Sequence, residues 1–263
     1  MEPLVSALLD LAHDLGRPDR DLSMLAEGNV SGSAGDGTFW VKGSGHSMGT
    51  LTAEGLVRVA SEPILGALER ESMTDDAVRD LLRDSTVEGA PTTPSVETFM
   101  HAYLLQLPGV KFVAHSHPTA WLSLLCTPLG RAASRARIFP DEIVLCGRES
   151  CWVPYCDPGF PLAKGIQAGV RAFASDMGEL PRIILLESHG VIALGETTAQ
   201  AFGAMLMADK AARIWLGSLA AGHPPRALTP DEVERIASRP DEEVRKALLW
   251  KLGPTAVRGS API

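Results

Sequence analysis

The chain has 263 residues, 45% of them hydrophobic, with 24 Lys and Arg against 32 Asp and Glu and a formal net charge of -8. This is enough apolar material for one large domain, or a domain with an appendage, while the acidic balance argues against a broad nucleic-acid footprint, which needs a basic face. No apolar stretch is long enough to span a bilayer, and Met1-Glu2-Pro3-Leu4-Val5 lacks a signal-type pattern, so a cytoplasmic protein that inserts in no membrane is expected. A locally positive pocket for an acidic or phosphorylated small molecule is compatible with that charge.

Leu4, Leu8, Leu11 and Leu15 share one face, which predicts an amphipathic helix from Glu2 to about Leu15 that ends at Gly16. Gly28-Asn29-Val30-Ser31 reads as a strand entering a site, and Gly35-Asp36-Gly37 as a turn. Thr38 to Val41 is a short strand running into Lys42-Gly43-Ser44-Gly45, where successive amides beside a lysine can form an anion-binding concavity. Leu51 to Val59, with Thr52 as N-cap, reads as a helix and turn, followed by a polar segment through Ser85. Another helix is expected to begin at Pro94 or Ser95, with Glu97 and His101 four apart on one face. His101 reads equally well as a core histidine with a hydrogen-bonded ring.

Lys111 to Pro118 is the stretch around which the chain is organised. An apolar run leads to His115 and His117, which project from the same side of a strand. Thr119 to Leu125 is a helix, Arg131 to Arg137 a basic segment, Ile138 to Gly147 a turn and strand, Trp152 to Tyr155 another strand, and Leu162 to about Phe173 a helix. Arg182 to Gly190 reads as a strand carrying His189, continued by Val191 to Gly195. Thr197 to Leu219 is a long alanine-rich helix, and from about His223 a tail of two short helices follows, capped at Thr229 and near Asp241 and containing Trp250. Intermixed strands and helices with no repeat predict one α/β sandwich. Cys126, Cys146, Cys151 and Cys156 have no knuckle spacing and read as reduced, partly buried thiols.

Three imidazoles from His115, His117 and His189 would leave the fourth position of a zinc ion open, the arrangement of a catalytic rather than a structural site. Two strand histidines with satisfied rings are the structural alternative.

Taken in order, Gly28-Asn29-Val30-Ser31, Lys42-Gly43-Ser44-Gly45, Pro94-Ser95-Val96-Glu97, His115-Ser116-His117 and Ser188-His189-Gly190 resemble the class II aldolase/adducin family across most of residues 1–220. The likeness is nearest to rhamnulose- and fuculose-phosphate aldolase domains, including those of bacterial bifunctional sugar enzymes, of which this chain would be a stand-alone relative. The resemblance implies a three-layer α/β/α sandwich with a largely antiparallel central sheet over residues 1–222, a C-terminal helical extension at 223–263, and a homotetramer with sites at subunit interfaces. It implies that His115, His117 and His189 bind a divalent metal, normally Zn2+, with Mn2+ or Co2+ as alternatives, and that Glu97 acts as acid and base. It implies that Asn29, Ser44, Gly45 and Ser95, with Lys42 adding charge, hold a substrate phosphate. Val96 stands where fuculose-phosphate aldolases carry a second serine. Tyr155 is a candidate second acid.

The chemistry suits these residues. Breaking a carbon–carbon bond beside a ketone leaves an enediolate whose charge a Lewis-acidic zinc can hold, while Glu97 moves a proton. The expected function is therefore a lyase that cleaves a ketose phosphate to a three-carbon keto fragment and an aldehyde. The alternatives are a metal-dependent decarboxylase of a 3-oxo-tetronate-type phosphate and an adducin-like scaffold without catalysis.

Overall fold

The computed structural model describes residues 2–87 and 92–242. In chain order the elements are α1 (Pro3–Leu15), β1 (Asn29–Ser33), β2 (Thr38–Lys42), β3 (Leu56–Ala60), α2 (Ser61–Ala67), α3 (Asp75–Asp84), α4 (Thr98–Leu104), β4 (Phe112–Ser116) and α5 (Thr119–Leu125). They continue with α6 (Leu129–Arg135), α7 (Pro140–Cys146), β5 (Cys151–Val153), α8 (Phe160–Met177), β6 (Ile183–Leu186), β7 (Gly190–Gly195), α9 (Thr198–Ala220) and α10 (Pro230–Ala237).

The seven strands form one sheet in the order β3-β2-β1-β4-β7-β6-β5, antiparallel at every pairing except β5 with β6. Helices cover both faces, so the central strands bury both sides and read as unbroken apolar runs. On one face Ile183, Leu185, Val191 and Ala193 meet α1, α5, α7 and α9; on the other Ile184, Leu186, Ile192 and Leu194 meet α2, α4 and α8. This is a three-layer α/β/α sandwich. The period-four leucines of α1 lock it to the first face: Leu8, Leu11 and Leu15 are fully buried, each contributing about 2 kcal/mol of transfer free energy.

Several expected elements differ. Ile138 to Gly147 is the helix α7, because Pro140 at its first turn, the acidic Asp141 and Glu142, and Gly147 with φ +83° punctuate it as a helix despite its apolar run. Leu51 to Val59 is no helix: Thr52 starts only a single 3-10 turn, and the alternating Leu56-Val57-Arg58-Val59 pairs with β2. The polar segment before Ser85 holds α2 and α3. The helix expected from Pro94 begins at Thr98, because Pro94 bridges Gly43 as extended backbone. His189 lies in a tight turn between antiparallel β6 and β7, not along one continuous strand. The tail helix capped by Thr229 is α10, with a full capping box from Glu232; it packs beside α7, and its Glu234 pairs at 2.7 Å with Arg148, just beyond the end of α7. The second tail helix falls largely outside the described residues, as does Trp250. Among the described residues no helix is long and apolar enough to cross a membrane.

Candidate metal centre

The site sits at one end of the central strands. Register places Asn29 of β1 opposite His115 on one side of β4, and Ile192 of β7 opposite it on the other. His117 follows the end of β4, its backbone N–H bonded to the Leu22 carbonyl at 2.9 Å. His189 is delivered by the β6–β7 turn, where Ser188 takes φ +53° and bonds the Leu125 carbonyl, an uncommon conformation for a residue with a Cβ. Glu97 is the residue preceding α4. The three imidazoles meet edge to face with ring centroids 4.8 to 5.1 Å apart.

Close approach explains Gly190. A Cβ there would lie 2.6 Å from the Ser116 carbonyl oxygen and 2.8 Å from a His117 ring carbon, so any side chain would push the histidines apart. Gly28, at φ +69°, faces the His115 carbonyl in the same way.

The protons can be assigned from the bonding network. His115 Nδ1 lies 3.0 Å from the Val191 carbonyl and donates to it, which leaves the lone pair on Nε2. That Nε2 faces His117 Nε2 at 3.0 Å. His189 Nε2 is 3.1 Å from Glu97 Oε1, and Glu97 Oε2 is 3.7 Å from His115 Nε2. His189 Nδ1 is buried with no hydrogen-bond partner among the described residues. Three Nε2 atoms converging beside a carboxylate fit a divalent cation held by imidazoles. Ligand atoms of all three rings lie within 4.8 Å of one another.

Electrostatics agree. Burial pushes His115 down to about 4, and burial together with His115 and His189 pushes His117 to about 3. Both rings are therefore neutral, as metal ligands must be, at physiological pH. Burial alone would raise Glu97, but His115, the His189 contact and the Asn29 amide hold its carboxyl well below the ordinary range. It is an anion at neutral pH.

The residues expected to hold phosphate separate into two groups. Ser44 N donates to the Thr93 carbonyl at 3.0 Å, and the Gly43–Pro94 bridge aligns the Lys42 turn with the segment carrying Ser95. This brings exposed Ser44 and Gly45 alongside half-buried Ser95, whose hydroxyl accepts from Glu97 N at 3.3 Å. Lys42 and Asn29 are instead interior. The Lys42 ammonium donates to the carbonyls of His46 at 2.7 Å and Ala26 at 3.3 Å, and burial pulls it down to about 8. Lys42 thus shapes the turn from within.

The reading of His101 as a core histidine with a hydrogen-bonded ring holds, while its partners lay outside that reading. His101 and Ser31, both fully buried, are hydrogen-bonded to each other at 2.6 Å, and His101 joins Asn29. The available signal was two interlocking spacings: Asn29 and Ser31 two apart on a strand, Glu97 and His101 four apart at a helix start. Elsewhere, His13 bonds the Leu51 carbonyl and His46 lies 3.4 Å from Thr92 Oγ1. The four cysteines are free thiols, with Cys146 and Cys151 buried and pushed up to about 12 by that burial.

Comparison with known proteins follows the same line. The chain is 32% identical over 160 residues to the uncharacterized oxidoreductase YuxG of Bacillus subtilis, a match that covers 61% of this chain but only 21% of that protein. Among solved structures it is similar to the N-terminal class II aldolase domain of a conserved protein from Thermoplasma acidophilum, at 28% identity and a TM-score of 0.66, covering 82% of this chain and 95% of the other. L-fuculose-1-phosphate aldolase from Thermus thermophilus shares the fold at 22% identity and a TM-score of 0.59, over 85% and 98% of the two chains. The family model for the class II aldolase and adducin N-terminal domain matches residues 6–216. With that span, and with its sandwich and histidine cluster, the chain belongs to the class II aldolase and adducin N-terminal domain family.

Proposed function

We propose that the chain is a metal-dependent carbon–carbon lyase that cleaves a ketose phosphate to a three-carbon keto fragment and an aldehyde. One observation carries this reading: three imidazole Nε2 atoms and the Glu97 carboxylate converge on one point. A scaffold has no need of that arrangement.

His115, His117 and His189 are the residues that would hold the cation, zinc being preferred and manganese or cobalt also suited to imidazole. When bound, it supplies Lewis acidity that stabilises the negative charge developing on a ketone oxygen during bond cleavage. Glu97, ionised at neutral pH, would take the proton from the hydroxyl of the carbon that leaves as the aldehyde and return it to the carbon left by cleavage. Its Oε1 already faces His189, so it stands beside any oxygen that the cluster orients. The exposed Ser44 and Gly45 of the turn, with half-buried Ser95 alongside, are assigned to the phosphate, with Lys42 bracing the turn and Asn29 having one amide proton left for the substrate. Residues 1–222 are the catalytic domain in this reading, residues 223–263 a C-terminal extension, and the working unit is a homotetramer.

Tyr155 is a weak second acid, since it is 57% exposed and its hydroxyl donates to Asp157 Oδ1 at 3.1 Å. Loss of carbon dioxide from a 3-oxo-tetronate-type phosphate takes no proton from a hydroxyl and requires one delivered to carbon, which Glu97 would supply after taking it up from solvent. That keeps decarboxylation as the second reading.

The test is elemental mass spectrometry of the purified full chain, followed by assay of the zinc-loaded protein against ketose 1-phosphates and 3-oxo acid phosphates. One divalent ion per chain and release of a three-carbon keto product are expected, with Glu97→Gln keeping the metal and losing about 100-fold or more in rate. Carbon dioxide release without aldol cleavage would transfer the site to the second reading. A chain that takes up no metal on addition would sink both and leave the scaffold.

A further inference from the structure

His101 takes no part in the proton transfer just described, yet it is fully buried beside the site. Its ring nitrogens are both engaged. Nδ1 lies 2.6 Å from Ser31 Oγ, and Nε2 lies 2.5 Å from Asn29 Oδ1. Asn29 in turn donates Nδ2 to Glu97 Oε2 at 2.6 Å.

The direction of every bond follows from the last one. An ionised carboxylate only accepts, so the atom that Asn29 turns to Glu97 is its NH2 group. Its carbonyl oxygen therefore faces His101, and His101 must bring the proton on Nε2. A neutral imidazole protonated there has a lone pair on Nδ1, to which the Ser31 hydroxyl donates. Burial lowers His101 to about 4, which keeps the ring neutral and the pattern intact at physiological pH. The geometry behind it is two periods meeting: Asn29 and Ser31 share a face of β1, and Glu97 and His101 lie one helical turn apart at the start of α4.

We propose that His101 is a positioning residue, its tautomer set by Ser31, which locks the Asn29 amide so that the Glu97 carboxylate is held toward the three metal-site imidazoles. This rests on the reading of Glu97 as the proton carrier. Without the His101 donor, the Asn29 carbonyl is buried unpaired and the amide is free to rotate, which would set oxygen against the carboxylate instead of N–H. A space-filling role for His101 predicts no such dependence on donor and acceptor.

The test uses the full chain, zinc as the metal probe and dihydroxyacetone phosphate as the three-carbon probe. Nitrogen chemical shifts of the His101 ring, in zinc-free and zinc-loaded protein, are expected to show a proton on Nε2 and none on Nδ1 from pH 6 to 8. Exchange of the probe's carbon-bound proton into heavy water should fall about 100-fold in kcat for His101→Leu, with KM little changed and zinc still bound. His101→Gln should recover most of that rate, because its amide supplies one donor and one acceptor.

A charge-swap pair removes dependence on activity and on His101→Leu folding. Asn29→Asp sets two carboxylates together and should lower the Tm of zinc-free protein by about 3 °C or more. Adding Glu97→Gln, whose amide can donate to the new carboxylate, should restore it. A proton on His101 Nδ1, a charge-swap pair without rescue, or a His101→Gln variant no better than His101→Leu would each overturn the proposal. If the parent chain exchanges no proton while the tautomer and the charge swap come out as stated, the lyase reading falls and the positioning chain stands.

Discussion

Two buried polar clusters in this molecule contain similar groups and end up with opposite properties. In the first, fully internal Arg137 sends Nε to the Gly147 carbonyl at 2.7 Å, Nη1 to Ala136 at 2.9 Å and Nη2 to Ser150 Oγ at 3.1 Å, with the Glu142 carboxylate 3.6 Å away. Donors face acceptors. In the second, His115 Nε2 faces His117 Nε2, and His189 has a buried ring nitrogen with no partner among the described residues. The first cluster is closed by the protein itself and ties α6, α7 and β5 together. The second gathers three imidazoles and a carboxylate at one point, and this difference between groups closed on the backbone and metal-ligating groups that converge is what separates a structural polar core from a candidate site.

The comparison breaks most visibly at His189. His189→Ala should lower zinc affinity by more than about 100-fold, beyond what loss of an outer partner costs. In zinc-free protein it removes an orphaned nitrogen together with one contact to Glu97, two opposed effects, so the Tm should stay within about 3 °C of the parent. Zinc at 100 times its Kd should stabilise the parent by about 2.7 kcal/mol and leave the variant unmoved. Thermal scans with zinc and with chelator test this, and a variant that still gains stability from zinc would remove His189 from the ligand set.

Arg137→Met asks the reverse question of the closed cluster. The buried Glu142 loses its cation, and burial already raises its carboxyl pKa. Stripping one partner from a buried pair costs about 3–5 kcal/mol, to be read from urea unfolding. Zinc stoichiometry should not change, because no Arg137 contact reaches the histidines. Adding Glu142→Gln should recover part of the loss. A drop in zinc content in stable, folded Arg137→Met would show the clusters to be coupled.

How far each cluster is legible in the sequence follows from how it is built. His115 and His117 can be read because strand periodicity alone puts them on one side, and the order of short motifs points to Glu97 and His189. The sandwich is legible from the same motifs. The helix α7 is easily mistaken for a strand because an apolar run of Ile143 to Cys146 fits strand and helix alike, and only Pro140, Asp141 and Glu142 decide it. Lys42 reads as a charge offered to an anion, but three nearby carbonyls claim its ammonium, and only the folded turn brings them together. The link from His101 to Asn29 spans 72 positions and depends on β1 lying beside α4, information that no local pattern holds.

The smallest effect concerns that link and its response to acid. His101 is held neutral in the fold down to about 4, whereas a histidine in the unfolded chain takes up its proton near 6.5. Between those values the unfolded state binds a proton that the folded state refuses, so unfolding free energy falls as pH drops from about 6.5 to 4 and is flat above that window. The contribution is at most about 3 kcal/mol for a fully buried ring. Glu97 behaves oppositely: its depressed carboxyl adds stability that is lost only at much lower pH. His115 and His117 titrate in the same direction as His101, so the parent curve alone cannot isolate it, but His101→Gln has no proton to bind. Urea unfolding of chelator-treated protein at pH 7, 6, 5 and 4.5 should therefore give a shallower slope for His101→Gln than for the parent. Equal slopes would mean that His101 protonates in the fold without penalty, and the fixed Nε2–H donor on which Asn29 depends would be lost with it.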